Sequence, residues 1–341
     1  MPRQSWTSWL PYLSWSKLMN ALLLYISFLF SKYWGKIYNL GKPISIAIEP
    51  TTACNLRCPE CPSGLRSFHR PTGNLDFDFL KKMVDEVSPY VFYLNFYFQG
   101  EPYINPQFLE MVSYAHKKKI FTSSSTNAHF LNDDNAKNTV LSGLDRIIIS
   151  IDGTTQESYE KYRKQGKLSN VIQGTKNLVS WKKKLGKKHP HIIFQFLVVK
   201  YNEHEIPQLY QLAEELGVNE VRLKTAQVYD YKNGNEFIPD NPAFARYHKQ
   251  ADGSYSIDNA LLNYCWRLWS SPVITWDGQV VPCCFDKDAD HPMGSLKTSD
   301  FTQIWRGEAY QSFRRQLLKG RKEIEICANC SEGCKVWAKT D

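Results

Sequence analysis

The sequence predicts an α/β protein built on a parallel sheet, because strand-like and helix-like segments alternate about six times along it. The strand-like segments are short and rich in β-branched and aromatic residues, and the segments between them show the residue spacing of helices. Strands joined through helices run parallel, and their crossovers are right-handed. With 43% hydrophobic residues in a chain of 341, there is enough apolar side chain to bury a substantial core.

Each strand is predicted from its own apolar run, and each helix from the segment that follows. The strands are expected at residues 44–49, 91–98, 120–126, 146–152, 192–199 and 220–225. The helices are expected at residues 77–88, 106–118, 132–142, 155–184 (as one helix or two) and 204–216. In parallel α/β sheets the chemistry lies at the C-terminal ends of the strands, so residues directly after each strand are candidates for a site.

Three cysteines follow the first strand in the segment AIEPTTACNLRCPECPSG, at a C-x3-C-x2-C spacing: Cys54, Cys58 and Cys61. The total of nine cysteines is odd, and the N-terminus shows no cleavable secretion signal, so we expect a reduced, cytoplasmic compartment and thiolate-bound metal. Three thiolates without a fourth ligand nearby suit a cubane iron–sulfur cluster with one open iron. The alternative is a three-cysteine zinc site that takes a distant fourth ligand.

This cysteine motif after a first strand resembles the signature of the radical S-adenosylmethionine (radical SAM) enzymes. The resemblance implies a partial (β/α)6, TIM-like barrel and a 4Fe-4S cluster on Cys54, Cys58 and Cys61. It also implies that S-adenosylmethionine chelates the open iron, and that one electron cleaves it to a 5′-deoxyadenosyl radical that abstracts hydrogen from substrate. An external one-electron reductant, such as flavodoxin or ferredoxin, is the expected partner. Glu60 stands where many members have an aromatic residue.

The stretch FQGEP at the end of the second strand resembles the Gly-Gly-Glu-Pro turn of the same family, with Gln99 in place of the first Gly. The resemblance implies that the backbone at Gly100 and the Glu101 carboxylate bind the methionine end of the cofactor. The alternative is a turn bounded by Gly and Pro with a solvated Glu.

Polar residues also follow the third, fourth and fifth strands, and the resemblance gives them contacts with the ribose, methionine or adenine of the cofactor. Hydroxyl and amide groups suit such contacts because they supply paired donors and acceptors. The alternative is local turn chemistry after each strand. The residues are Thr126, Asn127, Ser150, Asp152 and Asn202.

The last third of the chain is expected to form a separate small unit. Residues 226–264 are rich in loop-forming residues, and two short strands at 273–276 and 279–281 are predicted around an Asp277-Gly278 turn. A helix is predicted at about 308–319, before the closing CANCSEGC.

This unit resembles the SPASM/twitch extension of the radical SAM superfamily, which binds auxiliary 4Fe-4S clusters. Gly278 and Cys283 match its Gly-x4-Cys step, and Trp305 lies where such domains often have a Trp. The resemblance implies one auxiliary cluster, and so two clusters in all. Cys284 is expected to be a buried or pocket thiol, and a four-cysteine zinc ribbon is the alternative for the whole unit. The expected ligands are Cys265, Cys283, Cys327 and Cys330, with Cys334 able to replace one of them.

The N-terminal segment contains an apolar run at residues 18–30, too short for a membrane span of about 20 residues. Trp and Lys residues on both sides of it, a net charge of +8 and the basic stretch at 181–189 favour a helix lying in a membrane interface. The alternative is a helix packed across the open bottom or side of the barrel. The flanking residues are Trp6, Trp9, Trp15, Trp34, Lys17, Lys32 and Lys36.

We therefore predict an N-terminal segment at 1–40, a barrel at 41–225, a linker at 226–264 and a cluster domain at 265–341. The expected function is that of a radical SAM enzyme with oxidoreductase-type chemistry, cytoplasmic or peripheral on the inner face of a membrane. A small-molecule substrate, such as a sugar or aminocyclitol, is favoured because no dedicated peptide-recognition domain is evident. The alternatives are a peptide-modifying maturase and a non-catalytic iron–sulfur or zinc scaffold; no nucleic-acid partner is expected.

Overall fold

The computed structural model describes residues 6–257 and 259–330, and these form the predicted α/β architecture. A nine-stranded sheet has the order β11-β10-β9-β1-β2-β3-β4-β5-β6. Strands β1 to β6 are parallel neighbours in chain order, as expected for strands that are connected through helices. The strands are β1 (Ser45–Ile48), β2 (Tyr93–Asn95), β3 (Phe121–Thr126), β4 (Arg146–Ser150), β5 (His191–Val198), β6 (Glu220–Thr225), β7 (Tyr247–Lys249), β8 (Tyr255–Ile257), β9 (Val273–Ile274), β10 (Gln279–Val281) and β11 (Gly294–Ser295).

The helices cover the sheet in the predicted places. Helix starts follow side chains that accept a hydrogen bond from the first turn, at Ser14, Asp76, Asn132, Thr155 and Asp300. The segment predicted at 155–184 is two helices. The helices are α1 (Trp15–Trp34), α2 (Pro62–Leu65), α3 (Phe77–Val87), α4 (Phe108–Lys117), α5 (Asp133–Leu141), α6 (Gln156–Tyr162), α7 (Leu168–Lys184), α8 (Ile206–Glu215), α9 (Trp266–Ser270), α10 (Phe301–Arg306), α11 (Glu308–Gly320) and α12 (Glu325–Ala328), with 3-10 turns at Trp6–Tyr12, Pro102–Ile104, Glu203–Glu205 and Arg321–Glu323.

The register of the parallel strands brings their C-terminal ends to one edge. Thr126 of β3 lies opposite Ile149 of β4, and Ser150 of β4 lies opposite Gln195 of β5. Within the described residues β6 pairs on one side only, so the sheet is an open, partial barrel and not a closed one. Residues that leave these strand ends therefore face a common space.

The C-terminal hairpin is an extension of the barrel sheet. Strand β9 pairs in parallel with β1, and β10 pairs antiparallel with β9. The backbone N–H groups of Ala47 and Glu49 donate to the carbonyls of Pro272 and Ile274. The C-terminal hairpin is thus attached directly to the strand that precedes the cysteine loop.

The N-terminal segment covers the opposite end of the barrel and then runs along its side. In the 3-10 turn the Trp9 ring stacks on Phe121, with 4.2 Å between ring centroids, and the Tyr12 hydroxyl bonds to the buried Asp145 carboxylate. The apolar run predicted at 18–30 lies inside the longer helix α1, which ends at Gly35 in a left-handed conformation. Among the described residues, no helix combines the length and the apolar character that crossing a membrane would require.

The loop-rich segment predicted at 226–264 packs on the cysteine loop. In the part of it that the structure describes, the regular structure is the small hairpin of β7 and β8. Leu56 and Cys58 share a buried cluster with Val228, Phe237 and Tyr247. The segment therefore forms one wall of the space at the strand ends.

Candidate cofactor and cluster sites

The cysteine loop after β1 is held against the turn after β2. The backbone N–H of Glu101 donates to the Ala53 carbonyl at 2.7 Å, and Ser63 Oγ accepts from the N–H of Gly100 at 2.8 Å. Gly100 has a φ of +74°, and a Cβ there would lie 2.2 Å from the Thr51 carbonyl oxygen. Only glycine fits this position, so the Gly-Glu pair is fixed beside the loop.

The three cysteines lie where the loop folds back on itself. Cys61 precedes α2, and Pro62 occupies its first turn, where a missing N–H costs nothing. A Cβ on Gly64 would lie 2.5 Å from the Cys58 carbonyl oxygen, so the close return of the chain also requires glycine. The loop thus brings three soft sulfur ligands together at the end of one strand.

Burial keeps two of these thiols, those of Cys54 and Cys58, neutral until a cation binds them. It raises the pKa of Cys54 to about 12 and also raises the pKa of Cys58. Arg163 opposes the shift at Cys58, because its guanidinium Nη1 is 3.8 Å from the sulfur. Metal ligation requires thiolates, so bound iron would supply the positive charge that stabilises them in this apolar setting.

Most of the predicted cofactor residues line one cavity of about 260 Å³ at the strand ends. The wall also includes aromatic and basic side chains that the strand-end argument did not single out, among them Tyr97, Arg163, Lys224 and Lys287. The predicted residues in the wall are Cys54, Cys58, Cys61, Gly100, Glu101, Thr126, Asn127 and Ser150.

Glu101 is the central polar group of this cavity. Its carboxylate accepts hydrogen bonds from Thr126 Oγ1 and from the backbone N–H of Asn127, both at 2.7 Å. Burial raises its pKa to about 7. An ammonium group placed beside it would favour the charged carboxylate, so this position suits the amine of an amino acid.

Asp152 and Asn202 do not reach the cavity wall. Asp152 accepts from the Leu197 N–H at 2.7 Å and pairs with Arg163. The Asn202 side chain donates to the carbonyls of Asp152 and Leu197, each at 2.9 Å. Both side chains therefore bond to the backbone at the ends of the strands. Their contact with a cofactor remains a prediction.

Arg163 was missed because it does not follow a strand. It lies just after α6, and it connects the buried Asp152 carboxylate to the sulfur of Cys58. No residue pattern predicts this contact, because it depends on the position at which α6 ends before α7 begins. Lys224 could have been found, because it is near the C-terminal end of the predicted sixth strand.

Glu60 has a structural role that explains its departure from the family pattern. Its carboxylate accepts from the Tyr229 N–H at 2.9 Å and from Asn235 Nδ2 at 3.3 Å. It therefore ties the cysteine loop to the loop-rich segment.

Four further cysteines line a second, separate cavity in the C-terminal unit: Cys265, Cys283, Cys327 and Cys330. The free space among them is small, about 20 Å³, so the thiols would have to turn outward around a cluster. Arg321 Nη2 lies 3.4 Å from Cys330 Sγ, which places positive charge beside the sulfurs. Cys284 is not in this wall, and Cys334 lies outside the described residues.

Both cysteine sets offer the thiolate ligands that iron–sulfur clusters use. Across residues 6–257 and 259–330, no three Cys, His, Asp or Glu side chains are close enough together to hold one metal ion. Cluster iron is bound by cysteine thiolates, one to each iron. Both cysteine sets therefore fit 4Fe-4S clusters by their donor chemistry.

Comparison with known families gives this geometry its context. The sequence-family model of the radical SAM superfamily matches residues 48–213. The sequence-family model of SPASM, an iron–sulfur cluster-binding domain, matches residues 265–331. The chain belongs to the radical SAM superfamily. This radical SAM protein is therefore an enzyme, and its cofactors are S-adenosylmethionine and 4Fe-4S clusters.

Two relatives extend along most of this radical SAM protein. It is 24% identical to the tungsten-containing aldehyde ferredoxin oxidoreductase cofactor-modifying protein of Pyrococcus furiosus, over 86% of this chain and 89% of the relative. It is 25% identical to the PqqA peptide cyclase of Gluconobacter oxydans, over 71% of this chain and 70% of the relative.

Two solved structures share its fold. SuiB from Streptococcus suis, bound to S-adenosylmethionine, aligns with a TM-score of 0.64 and 15% identity, over 93% of this chain and 77% of SuiB. BtrN in complex with AdoMet and 2-DOIA aligns with a TM-score of 0.51 and 16% identity, over 85% of this chain and 93% of BtrN.

Glu101→Gln is expected to weaken S-adenosylmethionine binding about tenfold or more, because a hydrogen bond to a charged group contributes about 1.5–3 kcal/mol. Equilibrium dialysis of the reconstituted protein with labelled cofactor measures this. Asp145→Asn is the matched control, since Asp145 is also a buried carboxylate but lies at the opposite end of the strands. Equal losses of affinity in both variants would contradict the assignment.

Proposed function

We propose that this radical SAM enzyme abstracts hydrogen from a peptide substrate, with its cofactor cluster on Cys54, Cys58 and Cys61. The observation that carries the reaction is the single cavity in which those thiols meet Glu101 and Asn127. When bound, the cluster and S-adenosylmethionine supply the 5′-deoxyadenosyl radical. An electron donor of the flavodoxin or ferredoxin class is part of the proposal.

In this proposal the chain's own residues bind and orient the cofactor. Glu101, held by Thr126 and Asn127, binds the methionine ammonium. Arg163 holds the Cys58 sulfur in place and is itself held by Asp152.

A peptide is favoured over the small molecule expected from the sequence for two reasons. The PqqA peptide cyclase, whose name specifies a peptide substrate, is similar over 71% of this chain. The cofactor cavity also shares Cys54 and Ser63 with a neighbouring cavity of about 530 Å³, lined by residues from Thr52 to Asn74, which leaves room for an extended chain. A small molecule remains the second candidate because of the fold shared with BtrN in its 2-DOIA complex.

The two candidates can be separated with fractionated cell extract. Extract that passes a filter of about 1 kDa and extract that is retained are each added to the reconstituted enzyme, S-adenosylmethionine and dithionite. We expect the retained fraction to stimulate 5′-deoxyadenosine formation, and protease treatment of it to remove the stimulation. Protease-resistant stimulation confined to the filtrate would contradict the peptide proposal.

Two lysines line the cofactor cavity, and they favour an anionic group on the substrate. Lys224 and Lys287 both line the wall, and Lys287 Nζ donates to the Tyr229 hydroxyl at 2.8 Å. Burial, with a smaller contribution from the nearby Arg246, lowers the pKa of Lys224 to about 8. A substrate carboxylate beside Lys224 would offset both the burial and the charge of Arg246, so we assign Lys224 to the binding of that carboxylate.

Lys224→Met is expected to raise the KM for substrate about tenfold, because the charged hydrogen bond between Lys224 and the substrate is lost. It should leave 5′-deoxyadenosine formation without substrate unchanged, because Lys224 is not assigned to the cofactor. Steady-state assays with the stimulating fraction measure this. Lys182→Met is the matched control, since burial also lowers the pKa of Lys182 to about 8, but that lysine bonds to Asn219 away from the cavity. An unchanged KM in Lys224→Met would contradict the assignment.

We further propose that Cys265, Cys283, Cys327 and Cys330 hold one auxiliary cluster, which accepts an electron or ligates substrate. We also propose that the chain is organised in four units, at residues 1–40, 41–225, 226–264 and 265–341. A cytoplasmic location is also part of it; the described cysteines form no disulfide, as a reducing compartment requires.

A further inference from the structure

Helix α1 turns its polar side chains toward the protein. Lys17 Nζ donates to the Lys119 carbonyl at 2.6 Å, and the Asn20 amide bonds to both backbone groups of Lys42. The Ser27 and Ser31 hydroxyls bond to the backbone of Tyr38. The inner face of the helix is thus fixed by specific hydrogen bonds, together with the buried Leu24 and Phe28.

The outer face of α1 is apolar and exposed. Twelve of the seventeen large hydrophobic side chains that the described part of the chain exposes lie between residues 10 and 40. Monomeric proteins rarely expose a contiguous apolar surface of this kind unless it binds something. On α1 these side chains are Trp15, Leu18, Met19, Leu22, Leu23, Tyr25, Phe30, Tyr33 and Trp34.

The apolar face extends onto the C-terminal unit. The Tyr25 and Trp266 rings meet edge to face at 5.9 Å between centroids, and the Phe28 and Trp266 rings at 5.2 Å. Trp266 is itself 37% exposed. Two parts of the structure, α1 and the start of α9, therefore form the apolar face together.

The charges around this face identify its partner. Residues 1–48 contain no Asp or Glu, and Lys32, Lys36 and Lys42 lie near or after the end of α1, whereas Lys17 is buried on its inner face. This composition complements an anionic surface and disfavours a second copy of the same basic face. Exposed aromatic side chains stand at both ends of the helix, Trp15 at the start and Tyr33 and Trp34 at the end, as in helices that lie in a membrane interface.

We propose that the outer face of α1 docks on the surface of an anionic lipid bilayer. The helix lies flat, its apolar side chains enter the headgroup region, and its inner face stays bonded to the barrel. With 20 residues it offers a contact about 30 Å long. This inference is independent of the substrate proposal.

The test uses the full-length, reconstituted protein and sedimentation with vesicles of phosphatidylcholine, with and without phosphatidylglycerol. We expect binding to the anionic vesicles, weaker binding to the neutral ones, and a loss of at least tenfold in the Leu18→Asp/Leu22→Asp variant. Leu141→Asp is the matched control, because Leu141 is 54% exposed on α5, away from α1, and it should bind as the wild type does. Iron content and 5′-deoxyadenosine formation should not change in any variant.

Two results would overturn the inference. One is wild-type protein that does not bind anionic vesicles, or that binds them equally well after Leu18→Asp/Leu22→Asp. The other is a wild-type dimer in lipid-free buffer that the same double substitution dissociates, as measured by analytical ultracentrifugation. That result would assign the face to self-association.

Discussion

Replacing Cys54, Cys58 and Cys61 together with Ala is expected to remove about four irons and to abolish 5′-deoxyadenosine formation. All three thiols come from the loop after β1 and line the same cavity as Glu101. Without them no group remains there to ligate iron or to present S-adenosylmethionine to an electron. Iron analysis and chromatographic detection of 5′-deoxyadenosine, after anaerobic incubation with S-adenosylmethionine and dithionite, measure the two effects.

The fold of this triple variant should survive, because the main core lies in the sheet and its helices, and the loop cysteines belong only to a smaller, separate cluster. Circular dichroism of the variant and of the unreconstituted wild type supplies that control. Continued cleavage of S-adenosylmethionine by a folded triple variant would show that the cofactor cluster is held elsewhere.

Cys283→Ala combined with Cys330→Ala is expected to lower the iron content from about eight to about four per chain. S-adenosylmethionine cleavage should persist and substrate turnover should be lost. The two effects separate because the auxiliary cavity and the cofactor cavity share no wall residue. Iron analysis, 5′-deoxyadenosine detection and product formation with the stimulating fraction are measured on one preparation.

Cys284→Ala is the matched control for the auxiliary site. It is the chain neighbour of Cys283 but is absent from the cavity wall, so it should keep about eight irons and full turnover. About four irons and one zinc in the wild type would make the C-terminal unit a zinc ribbon. About twelve irons would mean a third cluster, with Cys284 or Cys334 among its ligands.

The fold and the main site were predictable because each depends on local pattern. Short β-branched runs specify the strands, and a parallel sheet brings the strand ends together. The resemblance then singled out Thr126 and Ser150, and both line the cavity. The second strand was predicted at 91–98 but ends at Asn95, since the chain beyond it turns toward Gly100. Local composition cannot show where a neighbouring loop ends the pairing.

The features that could not be predicted from the sequence depend on contacts between distant parts of the chain. The pairing of β9 with β1 joins residues more than 200 positions apart, and no sequence periodicity indicates it. Asp152 and Asn202 follow strands as predicted, but their side chains bond to neighbouring protein groups and are not part of the cavity wall. The apolar run of α1 predicted a helix, whereas only the packed structure shows that its polar side chains face inward.

The electron paramagnetic resonance spectrum of the dithionite-reduced wild type, recorded with and without S-adenosylmethionine, tests the central claim most directly. Three thiolates from Cys54, Cys58 and Cys61 leave one iron open to the cofactor, whereas four cysteines close the auxiliary cluster. We predict two cluster signals, of which one changes on cofactor addition, and that one should be missing from the triple Ala variant. Spectra that are identical with and without S-adenosylmethionine would contradict the assignment of the cofactor cluster.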